Sequence, residues 1–576
     1  MNTLEKKNGS YILIDCLLQN GTEHIFGYPG GAILPIYDEL YYWEKLKLVK
    51  HILVRHEQCA AHAADAYSRS SKKVGVCFAT SGPGATNLVT GIATAKMDSI
   101  PLIIITGQVT RNFLGTDAFQ ETDIFGITLP IVKHSYVIRD LNLLPNIISE
   151  AFFLAKNGRP GPVLIDIPKD VGLEEISYSS YTSKKKSINK NWAKMDYLVK
   201  SSKFQKFLNF LSESYQPLLY IGGGVIRSYS LNLLGNFAKL FQLPLTSTLM
   251  GKGSYNELDH LSLGMLGMHG TSSANFAISE CDLLIAIGTR FDDRVTGKLE
   301  EFAVEAEVVH VDIDPAEISK NRCPQLSFLA DSKKFFYEYT KFLRKSFLVE
   351  NSQTKNWLKR ISKWKKSYQP QTISAESTKL SAQKLLLFLA KTQRDAVFTT
   401  DVGQHQMWSA QLLNSWPNQW VSSSGLGTMG FGVPAAIGSK IINPSKQVIC
   451  ITGDSSIQMN IQELATIYQY KLEFFIFILN NNWQGMVRQW QESFYSNRYS
   501  NSYMQLGNPS FSEVAKAYGV YAKKIQQLTE LNYFLKEKNR GISTLLDINV
   551  IDSENCYPMV APGRSNSQML GLEKVV

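Results

Sequence analysis

Asp454 and Asn481 each stand one residue beyond a short apolar run, QVICIT at 447–452 in one case and FFIFIL at 474–479 in the other. Runs of this kind read as buried parallel strands, and open α/β sheets take their ligands beyond the carboxyl ends of such strands. A carboxylate and an amide carbonyl at two strand ends suit a hard, oxygen-seeking cation such as Mg²⁺, which keeps waters and phosphate oxygens in its shell. A strand–turn–helix with a solvated Asp454 is the alternative. Glu57 lies in VRHEQCAAHAADAYSR (54–69), behind an apolar strand and at the start of an Ala-rich helix. A carboxyl among so many small apolar side chains is partly desolvated, and it can bond a heterocycle nitrogen and exchange a proton with it. Simple electrostatics at a helix N-terminus is the other reading of Glu57. His56 and His62 lack the i, i+4 spacing of a helical zinc motif.

Positioning these groups requires a large α/β scaffold, and the chain supplies three blocks of it. VGVCFAT (74–80), PLIIITG (101–107) and PVLIDIP (162–168) are the strands of the first block. PLLYIGGG (217–224), CDLLIAIG (281–288) and EVVHVDID (307–314) are those of the second. AVFTTDVG (396–403), QVICITGD (447–454), FFIFILNN (474–481) and STLLDINV (543–550) are those of the third. The predicted fold is α/β, three doubly wound domains with mainly parallel sheets. The boundaries expected are 1–175, 190–350 and 380–552, with a tail over 553–576 that lacks periodicity and reads as a lid or as disorder. The polar stretches 172–195 and 351–380 read as linkers.

The 576 residues are 44% hydrophobic and 19% charged, as in an ordinary globular protein. The net charge of +10 is spread thinly; its one basic run, KKK at 184–186, falls in a linker, so nucleic-acid binding is not expected. Seven cysteines are scattered without a C-x-x-C pair, which argues against a disulfide framework or a zinc ribbon and suits a reducing compartment. No apolar run reaches membrane-spanning length. The N-terminus passes straight into a helical pattern, so no transit or signal segment is expected.

The GDSS…NN pattern, with 24 residues between Gly-Asp-Ser and Asn480-Asn481, resembles the diphosphate-binding motif of thiamine-diphosphate enzymes; Ser455 stands where that family often has Gly. RHEQ with ATSGPGATN (79–87), GTDAFQE (115–121), FGYPGGAILPIYDEL (26–40) and GRPGPVLIDIPKDV (158–171) is similar to the catalytic subunit of acetolactate synthases, nearly end to end. The resemblance makes Glu57 the catalytic carboxyl that bonds the aminopyrimidine ring of thiamine diphosphate. TDVGQHQMW (400–408) and GLGTMGFGVPAAIG (425–438) look like cofactor-cradling segments, their glycines admitting close backbone approach. By the same resemblance Val402, Gly403, Gln404, His405, Met429, Ser455, Ser456, Gln484, Gly485 and Met486 contact that cofactor. Asp454, Asn481 and the main-chain carbonyl of Trp483 hold Mg²⁺.

The middle block's GGG (222–224) is a weak signal alone. With LMGKGS (249–254), LGMLGMHGTSSANFA (263–277), GTRFDDRVTG (288–297) and VHVDIDPAEISKN (309–321) it resembles the family's FAD-binding domain. That implies flavin contacts at Arg159, Gly222, Gly223, Leu249, Met250, Met268, His269, Gly288, Arg290, Asp292 and Asp312, with FAD in a non-redox role. Asp312, at a strand end, suits a ribose hydroxyl. Arg294 matches the arginine that meets the substrate carboxylate, although its spacing alone favours an exposed ion pair with Asp292 or Asp293. Trp490 matches the tryptophan shaping the acceptor pocket for 2-ketobutyrate over pyruvate, against the alternative of a core Trp. Gln120 and Lys169 match substrate-side positions. Thr110 replaces a common Pro near the channel entrance, which bears on inhibitor sensitivity. A homodimer or higher homo-oligomer with shared active sites, a small regulatory subunit, and residence in a plastid stroma or a bacterial cytoplasm are implied; Lys-, Asn- and Ile-rich usage leans toward the organelle. A flavin-using pyruvate oxidase or a simple decarboxylase is the nearest rival reading, and a non-catalytic nucleotide-binding scaffold a more distant one.

Overall fold

The computed structural model describes residues 6–177, 201–343, 354–370, 379–416, 418–536 and 541–574. Three six-stranded sheets organise the chain, and every pairing within them is parallel. Successive side chains in each strand point to opposite faces, and both faces of the inner strands are covered, so those strands read as nearly unbroken apolar runs. In the first sheet Val76, Phe78, Ile103 and Ile105 are buried in one core, while Cys77, Ala79 and Ile104 belong to another with helix Glu57–Ser71. The second and third sheets repeat this two-sided burial.

The spatial order of the first sheet is Lys50–Leu53, His24–Gly27, Gly75–Ala79, Leu102–Gln108, Pro162–Pro168, His134–Val137. With strands counted from each sheet's own N-terminus, that order is 2-1-3-4-6-5, and the third sheet has the same order. The middle sheet differs, running 3-2-1-4-5-6, the doubly wound order associated with dinucleotide binding.

Helix Glu57–Ser71 packs against helix Gly432–Ile442 and so seats the first module on the third. The approach is close because the surfaces are bare: a Cβ on Gly438 would collide with the Ala63 carbonyl. Arg55 N donates to Glu463 Oε1 (2.8 Å) and Leu53 N to Tyr470 Oη (2.7 Å) beside this contact.

Two expectations are corrected. The stretch 351–380 is not simply a linker: Thr354–Ser367 is a helix that buries Trp357 and Ile361 and sets Trp364 against the same core. Residues 371–378 lie outside the described residues. In 172–195, the end of helix Lys169–Leu173 and strand Glu175–Ser177, paired with Lys6–Asn8, are structured; the rest, with KKK at 184–186, lies outside the described residues. The tail is not disordered over its described part. Met559–Val560 pairs with Met569–Leu570, and Leu572–Lys574 pairs with Tyr368–Pro370. Among the described residues no helix is long and apolar enough to cross a membrane.

Candidate active site

Strand order predicts where ligands go, because loops diverge where the order reverses. In the middle sheet the reversal falls between Pro217–Ile221 and Leu283–Ile287, whose next residues are Gly222 and Gly288. These two backbones touch: Gly222 N donates to Ile287 O (3.0 Å), and a Cβ on Gly222 would occupy the Gly288 carbonyl. In the third sheet the reversal falls between Val397–Thr400 and Val448–Gly453, followed by Val402, Gly403, Asp454 and Ser455. One cleft of about 1110 Å³ runs between the two reversals, larger than the usual single small-molecule site. All the sequence-predicted thiamine, flavin, metal and substrate positions line it except Glu57, Gln120 and Lys169.

At the third-sheet end Asp454 opens the short helix Asp454–Ile457 and is 1% exposed. Burial pushes its carboxyl up to about 7, opposed by the hydrogen bond that Asn508 Nδ2 donates to Oδ2 (2.8 Å). Asn481 Oδ1 accepts from Trp483 N (3.1 Å), and its Nδ2 donates to Gln404 Oε1 (3.3 Å), so the amide is held with its oxygen turned to the Trp483 backbone. Gly485 is bare because a Cβ there would strike Gln404 Oε1. Among the described residues no group of three or more His, Cys, Asp or Glu side chains could hold a metal. Asp454 and Asn481 would offer a cation one carboxylate and one amide oxygen, the rest of its shell coming from other oxygens, as for Mg²⁺.

Ser455 fits without strain. It lies in that helix and outside the left-handed region, so no glycine is required there. Its Oγ is buried without a hydrogen-bond partner, as is His405 Nε2, and both residues line the cleft. Burial lowers the His405 pKa to about 3 and keeps the ring neutral. Orphaned polar atoms in a buried wall call for a polar ligand, and a diphosphate presents the acceptor oxygens that such donors satisfy.

The middle-sheet end has the same character. Thr289 Oγ1 and His269 Nδ1 are buried without partners, and burial lowers the His269 pKa to about 4. Asp312 closes strand Glu307–Asp312 at the wall, raised by burial to about 6, with Oδ1 accepting from Asp314 N (2.8 Å). Arg159 reaches the cleft from the first module, bonded to Ser99 Oγ (2.9 Å), Asp314 (3.1 Å) and Glu317 (2.7 Å). Unpaired donors and a strand-end carboxylate beside two interlocked glycines fit an extended nucleotide such as FAD.

Arg294 and Trp490 meet at the mouth, the guanidinium carbon 5.9 Å from the indole centroid. Trp490 is half-buried against Phe494 and the cleft, not a core residue. The alternative for Arg294 is also realised in part, since its Nε lies 3.8 Å from Asp293 Oδ2. Both side chains are exposed, and such a pair contributes little, which leaves the guanidinium free to bind an anion. The tail braces this corner: Val560 N donates to Met268 O, Lys298 N to Arg564 O, and Asn566 Nδ2 to Val295 O.

Glu57, Gln120 and Lys169 do not line the cleft of their own chain. Glu57 is 7% exposed at the first position of its helix, and its Oε2 accepts from Asn87 Nδ2 (3.0 Å). A Cβ on Gly84 would lie 3.1 Å from its Oε1, and the Gln120 backbone covers neighbouring Gly82. Phe119, next in sequence to Gln120, is 88% exposed. Lys169 starts helix Lys169–Leu173 beyond another strand end of this sheet. Sequence reading missed Asn87 and Asn508 as partners of the two key carboxyls. Asn87 closes the ATSGPGATN motif, whereas Asn508 stands in no motif at all. His56 caps its helix by accepting from Gln58 N, and His62 packs on Phe431.

Family models match in chain order: the thiamine pyrophosphate enzyme N-terminal TPP binding domain over 7–127, the central domain over 204–338, and the C-terminal TPP binding domain over 401–548. The chain is 58% identical over 575 residues to the acetolactate synthase large subunit of Cyanidium caldarium, covering 99% of this chain and 97% of that one. It is 56% identical over 570 residues to that of Porphyra purpurea, covering 99% and 96%. To that of Parasynechococcus marenigrum strain WH8102 it is 53% identical over 575 residues, covering 99% and 92%.

Proposed function

Because the chain belongs to the acetolactate synthase large-subunit family of thiamine-diphosphate enzymes, we propose how its residues divide that family's work. The reaction decarboxylates pyruvate and transfers the remaining two-carbon unit to pyruvate or 2-ketobutyrate, the first common step toward valine, leucine and isoleucine. Thiamine diphosphate, when bound, supplies the electron sink that makes the decarboxylation possible. Asp454, Asn481 and the Trp483 carbonyl hold Mg²⁺ there; Ser455 and His405 offer donors to the diphosphate; Met429 supports the thiazolium side. Gly222, Gly288 and Asp312 would hold FAD, which would take no part in net redox chemistry. Arg294 orients the substrate carboxylate, and Trp490 limits the acceptor pocket.

Glu57 holds and moves the proton of the aminopyrimidine ring, but it does so for a second copy of the chain. A buried carboxyl outside its own chain's cleft, in a module that also exposes Phe119 (88%), supports a homodimer whose sites combine the first module of one protomer with the third of its partner. Gln120 and Lys169 act across the same interface. Modules at 1–175, 190–350 and 380–552 with a tail from 553, a small regulatory subunit, and residence in a plastid stroma complete the reading; the alternative location is a bacterial cytoplasm. The place rests on likeness to chains from red algae and a cyanobacterium, and organelle fractionation tests it.

The observation that carries the reading is the single cleft joining a cation-suited pair, Asp454 and Asn481, to a dinucleotide-suited strand reversal. Incubation with pyruvate, thiamine diphosphate, Mg²⁺ and FAD is expected to yield acetolactate and CO₂ without oxygen uptake. Oxygen consumption without acetolactate would assign the cleft to a flavin-using oxidase instead.

A further inference from the structure

The turn Met97–Ser99 ends helix Val89–Met97 of the first module, yet its bonds run to the other two modules. Asp98 Oδ1 accepts from Gly425 N (2.8 Å) and Oδ2 from Ser424 N (3.2 Å), at the base of the loop that carries Met429. Arg69 backs this carboxylate: its Nη2 donates to Asp98 Oδ2 (3.0 Å) and its Nη1 to Ser422 O (2.8 Å), while Asp65 binds its other edge. Thr94 Oγ1 lies 2.7 Å from Thr428 Oγ1, tying the same helix to the residue before Met429. Arg290 Nη1 of the middle module donates to Met97 O (2.8 Å), and Arg159, itself in the first module but anchored on Asp314 and Glu317 of the middle one, donates to Ser99 Oγ (2.9 Å). Gly425 is wedged between the two sides: a Cβ there would lie 2.8 Å from Met97 Cβ and 3.2 Å from both Arg290 Nη2 and Asp98 Oδ1.

The two arginines on this turn are flavin-side positions, and the loop it holds is a thiamine-side position. We propose that Met97–Ser99 is a strut shared by the two cofactor sites, with Asp98 as its positioning residue, so that occupancy of one site strengthens binding at the other. Ordering Arg290 and Arg159 around a nucleotide fixes the turn, and a fixed turn fixes the Ser424–Gly425 backbone that sets Met429. Asp98 is assigned its role through the hydrogen bonds it accepts from the Ser424 and Gly425 backbone. Coupling of this kind is reciprocal: whatever factor the flavin adds to thiamine diphosphate affinity, thiamine diphosphate adds to flavin affinity. This gives a flavin without redox duty a physical task. The inference rests on the cofactor assignment above.

The test is binding, read by quenching of intrinsic tryptophan fluorescence, since Trp483 and Trp490 line the cleft. Mg²⁺–thiamine diphosphate is titrated into the full-length protein with and without saturating FAD, for the unaltered chain, Asp98→Asn and Ser99→Ala. FAD is expected to tighten thiamine diphosphate about fivefold or more in the unaltered chain. That factor is expected to fall to near one in Asp98→Asn and to an intermediate value in Ser99→Ala, with FAD still bound by both. No coupling in the unaltered chain, or the full factor retained in Asp98→Asn, overturns the strut. Should Asp98→Asn not fold, full coupling in Ser99→Ala overturns it equally, because that variant leaves the Arg69–Asp98 pair intact. Failure of the unaltered chain to bind either cofactor refutes the assignment of the cleft itself, and the strut with it.

Discussion

The first and third sheets share one strand order, and each carries a buried carboxyl proposed for the site, Glu57 and Asp454, yet the two are finished differently. At the third sheet the surroundings of Asp454 are closed by the same chain: the middle module forms the opposite wall, and Ser455 and His405 wait with unpaired polar atoms. At the first sheet Glu57 is buried, already bonded to Asn87 and outside the cleft, in a module that exposes Phe119. One end is a preorganised pocket, and the other holds a carboxyl outside that pocket. Under the proposed homodimer, one architecture would supply both halves of a site distributed over two copies.

The strongest way to break that contrast is Glu57→Gln, expected to lower turnover by about 10²–10⁴-fold while thiamine diphosphate affinity stays near normal. Co-expression with Asp454→Ala sharpens it. If sites are shared between copies, the mixed dimer has one intact site and regains activity, whereas a single-chain site gives no recovery. Asp454→Ala alone is expected to weaken Mg²⁺-dependent cofactor binding by about 100-fold or more, measured by calorimetry. The pH dependence of Mg²⁺ binding distinguishes the two carboxyls further. With the Asp454 pKa raised to about 7 in the metal-free chain, a cation must displace a proton below that pH. Affinity should therefore fall by about tenfold per pH unit under 7 and level off above it. Trp490→Leu should erode preference for 2-ketobutyrate by about tenfold, read from the product ratio. Smallest of all, Ser455→Gly should change thiamine diphosphate affinity by no more than about fivefold, the worth of one hydrogen bond, since no backbone strain is relieved there.

Much of this was legible because buried parallel strands spell themselves as uninterrupted apolar runs. Leu102–Gln108 and Phe475–Asn480 could be read directly, whereas the edge strands Lys50–Leu53 and His134–Val137 are short, partly exposed and mixed with polar residues. Helix Thr354–Ser367 was obscured by its lysines, although Trp357, Ile361 and Trp364 keep the i, i+4, i+7 stripe of a packed helix. Asp454 and Asn481 were legible from local spacing. Asn508 and Asp98 were not, because what makes them matter is a partner 54 residues away in one case and over 300 in the other. The tail strands, two or three residues long, are below the length at which periodicity carries information.

That tail bears on the order in which the protein can be made. Synthesis proceeds from the N-terminus, and modules fold as they emerge. The middle module with Met268, Val295 and Arg294 is complete long before residues 560–566 leave the ribosome to brace it. The substrate corner is therefore among the last parts of the molecule to be set, and a chain still in translation has its cofactor walls before it has a finished mouth.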